Sequence, residues 1–210
     1  CQAGLMGNCK RLYADTLTFY RQELSGPVFT TGWAFVGIVA LSFAASLLFP
    51  DQADAIITRY AQMLQQGGLT DESGNIQLFA LLMNNLVAMT LSMVYGLIPF
   101  IRLPALTLGV NGATLGLFAG YYMHQNISLL KYLLGILPHG IFELTALILS
   151  AAMGLYLCET VTNALTRKQT GSVGAAVSRC CRVLLLWVLP LLVIAALVET
   201  YITPILFNLV

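Results

Sequence analysis

Apolar residues in this chain gather into long unbroken runs, and the polar residues collect between them. A run of about 20 apolar residues crosses a hydrocarbon core of about 30 Å as a helix. Five segments qualify, at residues 28–49, 78–101, 105–123, 138–157 and 183–206. The fourth stretch already begins at residue 129, which makes it too long for one straight crossing. Pro138 lies inside it, carries no amide hydrogen and disfavours a helical Leu137. The pattern therefore predicts an interfacial or re-entrant piece over 129–137 and a crossing that opens at Pro138, a favourable first helical position. Between the first two runs the period changes. Ala53, Ile56, Ile57, Tyr60, Ala61 and Leu64 recur at steps of three and four after Asp51, which predicts an amphipathic helix over 51–66 ended by Gly67 and Gly68. A weaker stripe of Cys9, Leu12, Tyr13, Thr16 and Tyr20 predicts an amphipathic helix within residues 1–27. The expected fold is an all-α integral membrane protein, with one five-span membrane domain over 28–210 and a Pro-broken fourth segment.

Composition agrees with the pattern. Of 210 residues 58% are hydrophobic and 9% charged, with a mean hydropathy of +0.82, whereas soluble domains carry about 25% charged residues. The net charge of +1 and the lack of a basic run argue against a nucleic-acid partner and leave membrane lipids and other proteins. The position of the basic residues is more informative than their number. Lys10, Arg11, Arg21, Arg102, Arg167, Lys168, Arg179 and Arg182 fall on one side of the five spans, against Arg59 and Lys131 on the other. The positive-inside rule then predicts a cytoplasmic N-terminus and, after five crossings, an extracytoplasmic C-terminus. The five cysteines form no CxxC or Cys/His pattern, so no disulfide framework is expected.

Polar residues inside the spans carry the candidate chemistry, because ionisable groups at membrane depth are costly and face a protein interior or an aqueous cavity. At a rise of about 1.5 Å per residue, Asn84 and Asn85 lie roughly 10 Å below the outer edge. His139 falls at the outer mouth, Glu143 one turn below it, and Glu199 within roughly 10 Å of the same edge. All five residues converge on the outer leaflet. They fit a packing role, in which they hydrogen-bond helices together, or a proton or ion site. His139 and Glu143, at i and i+4, can reach one metal ion, yet two ligands do not complete a set, and Gly140 and Ile141 break the HExxH pattern. The sequence holds no complete catalytic motif, and no metal or cofactor is assigned from it. Gly112, Gly116 and Gly120, at strict four-residue spacing, predict a close helix contact, either within the chain or between two copies in a homo-oligomer.

The motifs Leu137-Pro138-His139-Gly140-Ile141-Phe142-Glu143-Leu144 and Ala195-Ala196-Leu197-Val198-Glu199-Thr200-Tyr201-Ile202-Thr203-Pro204, preceded by Asn84-Asn85, resemble the stage II sporulation protein M family of bacterial and archaeal multi-pass membrane proteins. The resemblance runs from the second span to the C-terminus. It implies residence in the cytoplasmic (inner) membrane and a non-enzymatic scaffold or regulator linked to cell-wall remodelling or engulfment, with peptidoglycan-remodelling proteins as partners. A permease-like component with an outer-leaflet cation, proton or small-solute site at Glu143 and Glu199 is the alternative, since broken helices with polar groups serve transporters. An intramembrane metal-dependent hydrolase stands third.

Overall fold

The computed structural model describes residues 2–66, 78–166 and 172–207, and these are helical almost throughout. Among the described residues nine α-helices follow one another: α1 Gln2–Phe19, α2 Ser25–Leu48, α3 Pro50–Gln66, α4 Leu78–Val94, α5 Leu103–His124, α6 Leu129–Leu165, α7 Val173–Val183, α8 Leu189–Tyr201 and α9 Thr203–Phe207. Five continuous helical stretches among the described residues are long and apolar enough to cross a membrane, at Asn8–Leu48, Leu78–Leu97, Leu103–His124, Leu129–Leu165 and Val173–Tyr201. Gly67, Gly68, Arg167 and Lys168, to which the sequence pattern gave roles, lie outside the described residues.

Two boundaries differ from those expected. The helix does not open at Pro138: α6 runs for 37 residues with Pro138 inside it, a length of about 55 Å that exceeds the hydrocarbon core. The proline removes one intrahelical hydrogen bond, a loss that spanning helices tolerate where neighbouring helices pack around the break. The N-terminal helix also runs on into the first span. A single wide turn over Tyr20–Leu24, where the Ser25 amide donates to the Tyr20 carbonyl, joins α1 to α2. A second wide turn over Leu184–Val188 joins α7 to α8 directly before Pro190.

Elsewhere the helix ends follow local chemistry. After α4 a short turn over Tyr95–Leu97 leads to Ile98 at φ −85°, ψ 110°, the extended geometry demanded of a residue before proline. Ser128 and Ser172 cap α6 and α7 by accepting from the amides of Lys131 at 3.2 Å and Ala175 at 3.3 Å. Asn126, at φ 57°, closes α5. The amides of Ile127 and Asn126 donate back to Tyr122 and Met123 at 2.9 and 3.1 Å, a Schellman arrangement with asparagine in the left-handed position.

The core forms around α6, which packs against α2, α4, α5 and α8. Its inner face carries small residues, with Ala146, Ala151 and Ala152 fully buried beside Met153 and Leu157, and small side chains let apolar helices approach closely. One close backbone crossing pairs Gly96 with Gly154: a Cβ on Gly96 would overlap the Gly154 carbonyl. The glycine stripe of α5 makes its contact within the chain. Gly112 faces Phe35 and Ile38, Gly116 lies against the Val39 carbonyl and Ser42, and Gly120 meets Ser46, all on α2. The loop helix α3 buries Ala53 and Ile57 and leaves Ile56 and Met63 exposed, as its periodicity requires, and Tyr60 stacks edge-on against Phe118 of α5 at 6.1 Å.

Gly116→Ala is expected to lower stability by about 1–3 kcal/mol, because the new methyl meets α2 backbone that cannot move aside. Gly109→Ala, on the same helix with open space around it, should be neutral or stabilising by up to about 1 kcal/mol from helix propensity. Thermal unfolding of the purified variants in one detergent checks the contrast; equal losses would mean that the stripe is not packed against α2.

Candidate functional site

Three of the motif side chains meet at one end of the bundle. His139 and Glu143 lie one turn apart on the same face of α6, and Glu199 reaches them from the last turn of α8. One ligand-capable atom from each can be chosen so that all three lie within 4.8 Å of one another. His139 Nε2 stands 4.0 Å from Glu199 Oε2, too far for a hydrogen bond. The Asn85 side chain of α4 lies beside Glu143 and interacts with its carboxyl group. Asn84 does not join them. It is exposed, as expected of a neighbour turned about 100° around the helix axis.

Thr203, the first residue of α9, orients the imidazole. Its hydroxyl donates to the Val198 carbonyl at 3.3 Å and lies 3.2 Å from His139 Nδ1. When that single proton goes to the carbonyl, the hydroxyl oxygen is left to accept from Nδ1, and a neutral ring in this tautomer turns its Nε2 lone pair toward Glu199. Thr203 precedes Pro204, which suits the opening turn of a helix and explains why the chain restarts at this point. A cavity of about 190 Å³ reaches His139 and Glu143 from the α5 side, past Asn111, Thr114 and Tyr132. The Tyr132 hydroxyl donates to the Leu115 carbonyl at 2.5 Å and so ties α6 to α5 beside it.

The same end holds a further contact that joins the loop helix to the bundle. His124 Nδ1 lies 3.1 Å from Asp54 Oδ1, which fixes α3 over the end of α5. Nothing local in the sequence marks this pair, since Asp54 lies 70 residues from His124 in the chain.

Sequence reasoning missed a second polar joint at the other end. Glu23, in the wide turn before α2, receives hydrogen bonds from Arg179 of α7 and, at 2.5 Å, from the Tyr156 hydroxyl of α6. Arg179 also donates to the Tyr156 oxygen at 3.2 Å, and its guanidinium sits 4.9 Å from the centre of the Phe19 ring. Both charged groups were legible only as loop residues flanking spans. Nearby, a left-handed Phe100 at φ 65° directs its amide to Thr162 Oγ1 at 3.1 Å, which closes the α4–α5 connection onto α6. A cavity of about 680 Å³ at this end is lined by Arg102, Glu159, Thr162 and Asn163 among others. A further cavity, of about 830 Å³, is a mainly apolar groove between Tyr13, Trp33, Trp187 and Ile194 and contains none of the polar cluster.

Five helical stretches among the described residues able to span, with polar side chains joined across the bundle, define a multi-pass membrane protein. The sequence profile of the stage II sporulation protein M family matches residues 28–204, and the chain belongs to that family. It is also 35% identical over 129 residues to an uncharacterised protein of Methanocaldococcus jannaschii, covering 60% of this chain and 70% of that one. No solved structure matches it.

Arg179→Ala and Glu23→Ala should each destabilise the protein, while the double variant loses less than their sum. The interaction energy is expected to be on the order of 1 kcal/mol, since both side chains are about a third exposed. A double-mutant cycle on thermal or denaturant unfolding measures it; strict additivity would remove the joint.

Proposed function

We propose that this protein is a non-enzymatic membrane scaffold or regulator whose outer end engages cell-wall remodelling proteins, with its N-terminus in the cytoplasm. One observation carries the reading: the two polar clusters are separated by apolar packing. Along α6 between Glu143 and Tyr156, Ala146, Leu147, Leu149, Ala151, Ala152 and Met153 are buried, and with them Ser150. A permease needs a polar route between the two ends, whereas joints that fix helix positions do not. The His124–Asp54 contact supports the same reading, because it holds the exposed face of α3 in place as a surface for a partner. The cytoplasmic placement of the N-terminus is favoured by the excess of Lys and Arg on that side.

Photo-crosslinking tests the proposal. A photoreactive residue at the exposed positions Ile56 or Met63 should form an adduct in cells with a peptidoglycan-remodelling protein of the same genome, and proteoliposomes holding the pure protein should show no proton or cation flux above empty vesicles. Flux through the pure protein, or a His139→Ala variant that loses cellular function while inserting and forming the adduct normally, sinks a pure scaffold role.

A further inference from the structure

The cluster of His139, Glu143 and Glu199 has a property that helix packing does not require: its donor atoms face one another instead of pairing. His139 Nε2 and Glu199 Oε2 are 4.0 Å apart, and the three side chains form a triangle of edges no longer than 4.8 Å. A tetrahedral ion with bonds of about 2.0 Å needs donor separations of about 3.3 Å. Side-chain rotations that move each donor by less than about 1 Å close that difference, a change well within rotamer wells. From this geometry we infer that the three residues bind a divalent first-row transition ion, with zinc the best match.

The chemistry of the donors selects this class. An imidazole nitrogen disfavours magnesium and calcium, which take oxygen ligands, and one nitrogen with two carboxylates suits zinc and its neighbours. The surroundings are those of a metal ligand set. Thr203 Oγ1 lies 3.2 Å from His139 Nδ1, where it can hold the Nδ1 proton and leave Nε2 to face the carboxylates, and the Asn85 side chain lies beside Glu143 from α4. Outer partners of this kind fix ring orientation and ligand direction at metal sites. The charge balance agrees: two carboxylates inside an apolar bundle are costly beside each other, and a dication offsets both. The spacing on α6 alone supplied two ligands; the fold brings the third from α8, 56 residues beyond Glu143 in sequence. Three protein ligands leave one position open, and the 190 Å³ cavity that reaches His139 and Glu143 gives an ion and a water molecule access to it. Bound there, the ion fastens α6 to α8 directly and to α4 through Asn85. This holds whether or not the protein acts as a scaffold.

The test uses the full chain purified in detergent without chelators. Elemental analysis should find about one zinc per chain after zinc dialysis, and saturating metal should raise Tm by about 5 °C or more. Cobalt substitution should give the absorption bands of a tetrahedral nitrogen and oxygen site without thiolate charge transfer, which excludes Cys158, Cys180 and Cys181 as the ligands. His139→Ala and Glu199→Gln should abolish both stoichiometry and the Tm rise, while His124→Ala, at the neighbouring His–Asp contact, retains them. Thr203→Val should weaken affinity about 10- to 100-fold without removing a ligand. No bound metal across a zinc, cobalt, nickel and manganese panel, a thiolate-type cobalt spectrum, or unchanged binding in the His139→Ala, Glu199→Gln double variant overturns the inference. The wild-type spectrum decides the matter even where a variant fails to fold.

Discussion

A polar side chain removed from water has to find its partner inside the protein, and that requirement shapes this bundle more than any apolar contact does. Apolar helices in a bilayer gain little from exchanging lipid for one another, so close packing of small residues and polar contacts across helices decide which helices meet. Here the two work at different levels. Gly96 against Gly154, and Gly116 and Gly120 against α2, set how near the backbones come. Polar groups set the register: Glu23 draws α7 and α6 to the start of α2, and Glu143 and Glu199 draw α4 and α8 to the far end of α6.

Much of this was legible in the sequence, for reasons that can be stated residue by residue. The apolar runs, the amphipathic loop helix and the importance of His139, Glu143 and Glu199 follow from periodicity and from the cost of polar groups at membrane depth. The glycine stripe announced a close contact, but its partner on α2 lies some 70 residues away and carries no mark beyond Ser42 and Ser46. Pro138 misled, because a proline read locally ends a helix, while in a packed bundle the helix runs through it. The Glu23–Arg179–Tyr156 joint was hidden for the opposite reason: charged residues beside a span look like ordinary interfacial residues, and only the fold shows that 156 residues of chain return Arg179 to Glu23. Asn84 and Asn85 differ by one position, and the helical turn alone decides that Asn85 reaches Glu143.

The wide turns over Tyr20–Leu24 and Leu184–Val188 belong to the same logic. Each inserts an extra residue into a helix, which rotates all that follows by about a quarter turn or more relative to an ideal helix. Glu23 sits inside the first, and Arg179 lies one turn before the second. The first turn brings Glu23 to α7 while α2 keeps Phe35 and Thr31 buried beyond it. The second precedes Pro190, whose missing amide would otherwise weaken a regular helix at the same level. Local departures from ideal geometry thus fall where polar register and apolar packing impose different phases on one helix.

α6 is the element on which both joints depend. Glu143 and Tyr156 are 13 residues apart on it, a separation of about 20 Å, and the segment between them is largely buried, with Ala146, Ala151, Ala152 and Met153 at 0% exposure. A helix packed on several sides with small residues has little freedom to bend, so its two ends keep a fixed relation. Transport by alternating access needs elements that rock against each other around a central site. Polar contacts placed at opposite ends of one tightly enclosed helix oppose such rocking, and in this they support the proposed scaffold role over transport.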